Sequence, residues 1–156
     1  MRIGVISDTH GLLRPEAVAA LQGVDHILHS GDVGDIAIVE RLRAMAPVTV
    51  IRGNVDTHGA CAELPATEMI ELGGKNFYLV HSVHDLDIVP EAAEIACVVS
   101  GHSHQPEIRY SEKLERRGVL YLNPGSAGPR RFSLPVSLAM VTIDEETMRA
   151  EIIELL

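Results

Sequence analysis

At 156 residues and 16.9 kDa the chain is long enough for one domain, spanning 1–156, with a core of its own; a domain of this size buries roughly 70% of the surface its unfolded chain exposes. Hydrophobic residues at 46% and charged residues at 22% exclude a disordered or fibrous chain. Thirteen Lys and Arg against 22 Asp and Glu give a net charge of −9, and aromatics are only 3%, so long nucleic acid is not an expected partner.

Ile3–Ser7 is a short apolar run, expected to be a buried strand. Pro15 followed by Glu16 to Leu21 and then Gly23 predicts a helix with a Pro start and a Gly stop. His26–His29 is a second strand, Asp35 to Ala44 a helix stopped by Pro47, and Val48–Ile51 a third strand. This alternation implies a parallel sheet with right-handed crossovers. The second half is richer in hairpins: Glu68–Leu72 and Asn76–Val80 flank Gly73-Gly74-Lys75. A short helix is expected around Pro90–Glu94, then an apolar strand, Ala96–Ser100. Glu107–Tyr110 and Val119–Leu122 are expected to pair across the charged loop Ser111–Arg117, a solvated hairpin loop, and Ser137–Ile143 pairs with Ala150–Leu155. A parallel half and an antiparallel half suggest two facing sheets with helices outside.

Cys61 and Cys97 lie 36 residues apart with no CxxC, and are expected to be reduced, buried thiols of a cytoplasmic protein. The run Met1–Ile6 is too short for a signal peptide, and no stretch approaches the roughly 18 apolar residues of a membrane span.

The chemistry sits after the strands. Strand one ends in Asp8-Thr9-His10-Gly11, strand two in Gly31-Asp32, and strand three in Gly53-Asn54-Val55-Asp56. The hairpin's second strand ends at His81, and the next strand runs into Gly101-His102-Ser103-His104. Ligands of α/β sheets bind at the carboxyl ends of strands, so five strands deliver Asp, His and Asn to one rim. Oxygen and nitrogen donors without thiolate suit Mn, Fe, Ni or Zn. Two such ions about 3.5–4 Å apart can share a hydroxide and clamp a phosphoryl group. Taken singly, each piece is ordinary, since Gly-Asp and Gly-Asn are commonly turns. Their coincidence after five successive strands is what points to a metal site.

The series Asp-x-His, Gly-Asp, Gly-Asn-x-Asp, His, Gly-His-x-His resembles the calcineurin-like metallophosphoesterase superfamily. It is most similar to the small single-domain branch, the YfcE-type phosphodiesterases of bacteria and archaea, which also has the motif found here as Asn123-Pro124-Gly125-Ser126. The resemblance implies a four-layer α/β/β/α sandwich, with two facing mixed sheets and outer helices. It implies a dinuclear centre in which Asp8, His10 and His104 hold one metal, Asn54, His81 and His102 hold the other, and Asp32 bridges. Asp32, Asn54, His81, His102 and His104 are the catalytic candidates, and Asn54, His58 and Arg130 the candidate substrate contacts. Two divalent ions are expected as cofactors, Mn ahead of Fe, Ni or Zn, with a small phosphodiester as substrate. The alternatives are a phosphomonoesterase on the same centre and a protein-binding scaffold, the use made of this fold by the retromer subunit.

Two positions depart from the pattern. Val55 stands where larger phosphatases have a proton-donating His and the small branch often has Cys, so poor leaving groups should be cleaved slowly. Ser82 stands where Gly is usual, so the backbone beside His81 is expected to differ. His26 and His29 are expected to be structural, and His84 is a candidate pocket residue. Arg131, like Arg130, is either a phosphate contact or part of a solvated pair. A mean hydropathy of +0.15 leaves room for a buried interface between copies of the chain.

Overall fold

The computed structural model describes residues 1–111 and 118–156; the charged run 112–117 lies outside the described residues. Hydrophobic alternation sorts the strands into two five-stranded sheets. The first contains β1 (Arg2–Ile6), β2 (His26–His29), β3 (Val48–Val50), β9 (Ser137–Asp144) and β10 (Thr147–Glu154), in the order β10-β9-β1-β2-β3. β1, β2 and β3 are parallel, and β9 runs antiparallel to both β1 and β10. Its outer face carries α1 (Pro15–Ala20), with Pro15 in its first turn, and α2 (Ile36–Arg43), whose first turn is capped by Asp35 accepting from the Ala37 amide at 2.9 Å. Ala17 and Leu21, with Ile38, Val39 and Leu42, press onto Ile6, Ile27, Leu138 and Met140 of the sheet.

The second sheet holds β4 (Thr67–Leu72), β5 (Lys75–Val80), β6 (Cys97–Val99), β7 (Glu107–Tyr110) and β8 (Leu120–Asn123), in the order β4-β5-β6-β8-β7. Its centre, β5-β6-β8, is parallel and only its two edges are antiparallel, which corrects the expectation of an antiparallel second half. The physical reason lies in burial. β6 reads Cys-Val-Val and is buried on both faces, the pattern of a central parallel strand rather than of a hairpin. The final hairpin, β9-β10, joins the first sheet instead.

Alternate residues meet between the sheets. Ile3, Val5, Leu28, Ala139 and Val141 face Phe77, Leu79, Val99, Leu120 and Leu122. The opposite side of the second sheet, Tyr78, Val80 and Val98, is covered by Ile95, Leu86 and Ile88. That fourth layer consists of a 3₁₀ turn, Val83–Asp85, and the turns that follow it. The helix expected at Pro90–Glu94 is one of these turns. Its hydrogen bonds run from Ala93 to Val89 and from Ile95 to Pro90, and Glu94 takes φ +58°, which stops helical propagation after one turn. Both cysteines are free and buried, as expected. Among the described residues no helix is long and apolar enough to cross a membrane.

Candidate metal centre

The loops after β1 and β2 are laced to each other by their own backbone, and so are those after β5 and β6. The Asp8 amide donates to the Gly31 carbonyl at 3.0 Å, the His10 amide to Asp32 at 2.9 Å, and the Gly101 amide to His81 at 2.8 Å. Asp8, His10, Asp32, His102 and His104 all adopt positive φ, between 47° and 71°. L-residues rarely take this conformation, and such strain gathers at functional sites where surrounding structure enforces it. It turns each side chain back over the strand ends. Glycine is required beside them: a Cβ on Gly53 would strike the Asp32 carboxylate, and one on Gly101 would strike Ser7 Oγ and the Asp8 carboxylate.

Two groups of donors result. Asp8, His10 and His104 form one, and Asp32, His81 and His102 the other, each with its ligand atoms within 4.8 Å of one another. In the first, His104 Nε2 lies 3.3 Å from Asp8 Oδ1 and 3.3 Å from His10 Nε2. In the second, His81 Nε2 lies 3.2 Å from Asp32 Oδ2, and Asn54 Oδ1 lies 3.2 Å from His102 Nδ1. Asp32 Oδ2 is also 3.5 Å from His10 Nε2, and so faces both groups.

Supporting hydrogen bonds decide which atoms are left over. Asp8 Oδ2 accepts from Ser7 Oγ at 2.7 Å and from the His102 amide at 3.1 Å, whereas its Oδ1 is buried with no hydrogen-bond partner among the described residues. His81 Nδ1 donates to the Ser30 carbonyl at 2.8 Å, which leaves the Nε2 lone pair aimed at two carboxylates, again without a hydrogen bond. A lone pair pointed at anions is unfavourable unless a cation lies between them. These orphaned atoms fit divalent metal, and an imidazole whose other N–H is tied to a carbonyl is the usual arrangement of a ligating His. Burial favours the protonated forms of Asp8 and Asp32, but the polar groups around them outweigh it. His10, His104 and Ser7 act on Asp8, and His81 and the Val55 amide on Asp32, holding both carboxyls below their usual range. Burial opposes protonation of His81, and Asp32, Asp8 and the Ser30 carbonyl outweigh it, so its pKa lies above the usual value.

Several residues of the motifs have supporting roles that the sequence alone does not disclose. The Asp56 carboxylate accepts three amides, those of Val33 (3.0 Å), Gly34 (2.9 Å) and Gly53 (2.8 Å), pinning the loops that carry Asp32 and Asn54. Its place closing Gly-Asn-x-Asp was the signal available. Asn123 donates to Gly101 O (3.0 Å) and Ser103 Oγ (3.1 Å), and Ser126 donates to Asp8 O (3.0 Å), so Asn-Pro-Gly-Ser ties the last motif to the first. His29 is structural: Nδ1 accepts from the Gly31 amide, and Nε2 donates to Thr9 Oγ1, whose own proton goes to Val33 O. His26 meets Thr49 Oγ1 at 2.8 Å, likewise a structural contact.

The candidate substrate contacts divide. Asn54 is exposed beside His102. His58 is exposed and bonds its neighbour Thr57 at 2.7 Å, outside both donor groups. Arg130 is exposed and donates to Leu134 O at 3.3 Å, bracing its own turn. His84 lines a groove that also includes His102. Ser82 takes φ −114°, ψ 130°, an extended conformation open to any residue, so serine in place of glycine leaves the backbone regular there.

The calcineurin-like phosphoesterase superfamily domain matches residues 1–146. A probable metallophosphoesterase of Methanothermobacter thermautotrophicus is 36% identical, the alignment covering 98% of this chain and 92% of that protein. Among solved structures, a predicted phosphoesterase of Streptococcus pneumoniae superposes with a TM-score of 0.74 at 28% identity, over 98% of this chain and 88% of the other. At lower identity the fold alone is shared. An archaeal phosphodiesterase gives 0.74 at 20%, covering 98% of this chain and all of that one, and a zinc complex of Vps29 from Entamoeba histolytica gives 0.73 at 21%, covering 99% of each. The motifs, the two sheets and these matches agree, and the chain belongs to the calcineurin-like phosphoesterase superfamily, as a hydrolase of phosphoester bonds.

Proposed function

We propose that the chain is a phosphodiesterase acting on small phosphodiesters at a dinuclear metal centre. Asp8, His10 and His104 would hold one ion, Asn54, His81 and His102 the other, and Asp32 would serve both. The observation that carries this reading is Asp32 Oδ2, 3.2 Å from His81 Nε2 and 3.5 Å from His10 Nε2, one carboxylate oxygen between two donor groups. When bound, two divalent ions lower the pKa of coordinated water and offset phosphoryl charge. The chain's part is to fix the donors. Ser7 and the His102 amide orient Asp8, the Val55 amide orients Asp32 at 3.0 Å, and the Ser30 carbonyl sets the His81 tautomer.

Recognition of phosphate through metal needs little basic surface, which suits a chain of net charge −9. Val55 offers no proton to a leaving alcohol, so activated esters should be the better substrates. Mn leads the candidate metals, on donor chemistry. The two free thiols support a reducing, cytoplasmic setting.

The experiment is metal analysis combined with hydrolysis of a nitrophenyl phosphodiester and its monoester. The expected result is close to two divalent ions per chain, loss of activity on chelation, restoration by Mn, and faster turnover of the diester. A strong preference for the monoester would replace this reading with a phosphomonoesterase. Full activity after metal removal would end the mechanism. Absence of turnover with every metal would leave the scaffold role that the shared fold with Vps29 raises.

A further inference from the structure

Beside the exposed edge of the metal centre runs a groove of about 380 Å³, lined by His84, His102, Ser103, Gln105, Arg109 and Tyr121, among others. Its volume falls in the range, about 300–1,000 Å³, of sites that take small organic ligands. His102 belongs to both the groove and the second donor group, so a molecule seated in the groove lies against the place where a phosphoryl group would react.

The wall of the groove has been prepared by its neighbours. The Arg109 guanidinium carbon stands 4.4 Å from the centroid of the Tyr121 ring, and its Nε donates to Glu107 Oε1 at 3.1 Å. Ring and carboxylate together hold an arginine side chain that is still 53% exposed. A guanidinium laid over a ring on one face keeps its other face as a flat cationic surface, suited to stacking a planar heterocycle. Ser103 adds a directed donor: its oxygen accepts from Asn123 Nδ2 at 3.1 Å and from the Gln105 amide at 3.2 Å, leaving its hydroxyl proton for a ligand. His84 supplies a second ring and Gln105 a side-chain amide.

We infer that this groove is a subsite for a nucleoside, which makes the substrate a nucleotide ester whose base stacks on Arg109 while its phosphate reaches the metal centre. Base–guanidinium stacking tolerates any base, and a single platform suits one nucleotide, whereas long strands need successive platforms and basic tracks. The inference rests on the phosphodiesterase reading only for its reaction; nucleotide binding can be tested separately.

Calorimetric titration of the full-length, Mn-loaded protein with adenosine 5′-monophosphate and with ribose 5-phosphate isolates the base, because both ligands carry the same phosphate. The nucleotide should bind at least about tenfold more tightly, the lower end of what one stacked base contributes. Arg109→Ala should bring the two affinities together, and Arg109→Lys, which keeps charge without the plane, should lose most of the difference. Tyr121→Phe, which keeps the ring, should retain it. Equal affinity in the wild type, or a difference that survives Arg109→Ala, overturns the inference. Rates on thymidine 5′-(p-nitrophenyl) phosphate and methyl p-nitrophenyl phosphate separate the two ideas. If neither is cleaved while the nucleotide preference persists, the groove stands and the phosphodiesterase reading falls. If both are cleaved at equal kcat/KM, the reaction stands and the subsite falls.

Discussion

The two donor groups are built from similar residues yet differ in their surroundings. Asp8 and His104 are buried, at 0% and 2% exposure, and His10 is half-buried. In the second group Asp32 and His81 are buried, but His102 and Asn54 are exposed, and His102 lines the groove. One half is packed within the protein, and the other opens through His102 to the groove. A ligand shell sunk in protein resists exchange, while one with exposed members can admit substrate. The pair thus combines an anchored position with an accessible one.

Asp32, the carboxylate proposed to be shared, is where the contrast can be broken outright. Even the outer partners of metal ligands typically cost 10–100-fold in affinity when changed, and a ligand itself should cost at least the upper end of that range. Asp32→Asn, acting on both groups, should cost about 100-fold at each and about 10⁴-fold for filling both, read as metal content and as hydrolysis rate. Metal content and rate near those of the wild type would show that Asp32 is not shared.

Beneath the centre, His29 should reveal how strongly burial governs it. Burial is the main cause of a pKa lowered from 6.5 to about 4, with the charges of Asp8 and Asp56 drawing it partly back. Between those values the unfolded chain takes up a proton that the native chain refuses, so stability falls as pH falls from 6.5 towards 4. The full loss is about 3 kcal/mol. Urea unfolding at pH 7, 5.5 and 4 should show this slope, and His29→Gln should flatten it. Equal slopes in the two proteins would contradict the assignment.

On the open side, Val55 should make rates depend steeply on leaving-group pKa. Val55→His should recover up to about 10²-fold for an aliphatic alcohol, the low end of general acid catalysis, while changing nitrophenyl esters little. A slope already shallow in the wild type, and steepened by His58→Ala, would instead identify His58 as the acid. The smallest effect concerns the metal-free fold. His104→Ala removes a buried imidazole that lies 3.3 Å from the Asp8 carboxylate and should cost about 1–3 kcal/mol in chemical denaturation. His102→Ala, being exposed, should stay within about 0.5 kcal/mol. Equal costs would erase the distinction between the halves.

Much of this was legible from strand endings. An apolar run followed by Asp8, Asp32, Asn54, His81 or His102 marks both the strand and the candidate donor at its end, because both depend on short-range pattern. Gly73-Gly74 likewise announced the β4-β5 hairpin, and both glycines take positive φ. What stayed hidden depends on contacts distant in sequence. Nothing local says that β9 lies against β1, 130 and more residues away, or that β8 runs parallel to β6. The role of Asp56 is invisible for the same reason, since two of its three amide partners, Val33 and Gly34, belong to another loop. Nor does sequence disclose that Arg109 and Tyr121, on neighbouring strands, stand one over the other.

The glycines packed against the carboxylates limit how this site can change. A Cβ on Gly53 meets the amide nitrogen of residue 32 as well as its carboxylate, and one on Gly101 meets Ser7 Oγ as well as the Asp8 carboxylate, so shrinking either acid does not by itself make room. At Gly53 the obstacle is backbone, which no substitution at position 32 removes. A descendant that abandons catalysis would therefore still be bound to keep this glycine, and with it the space into which a carboxylate could return.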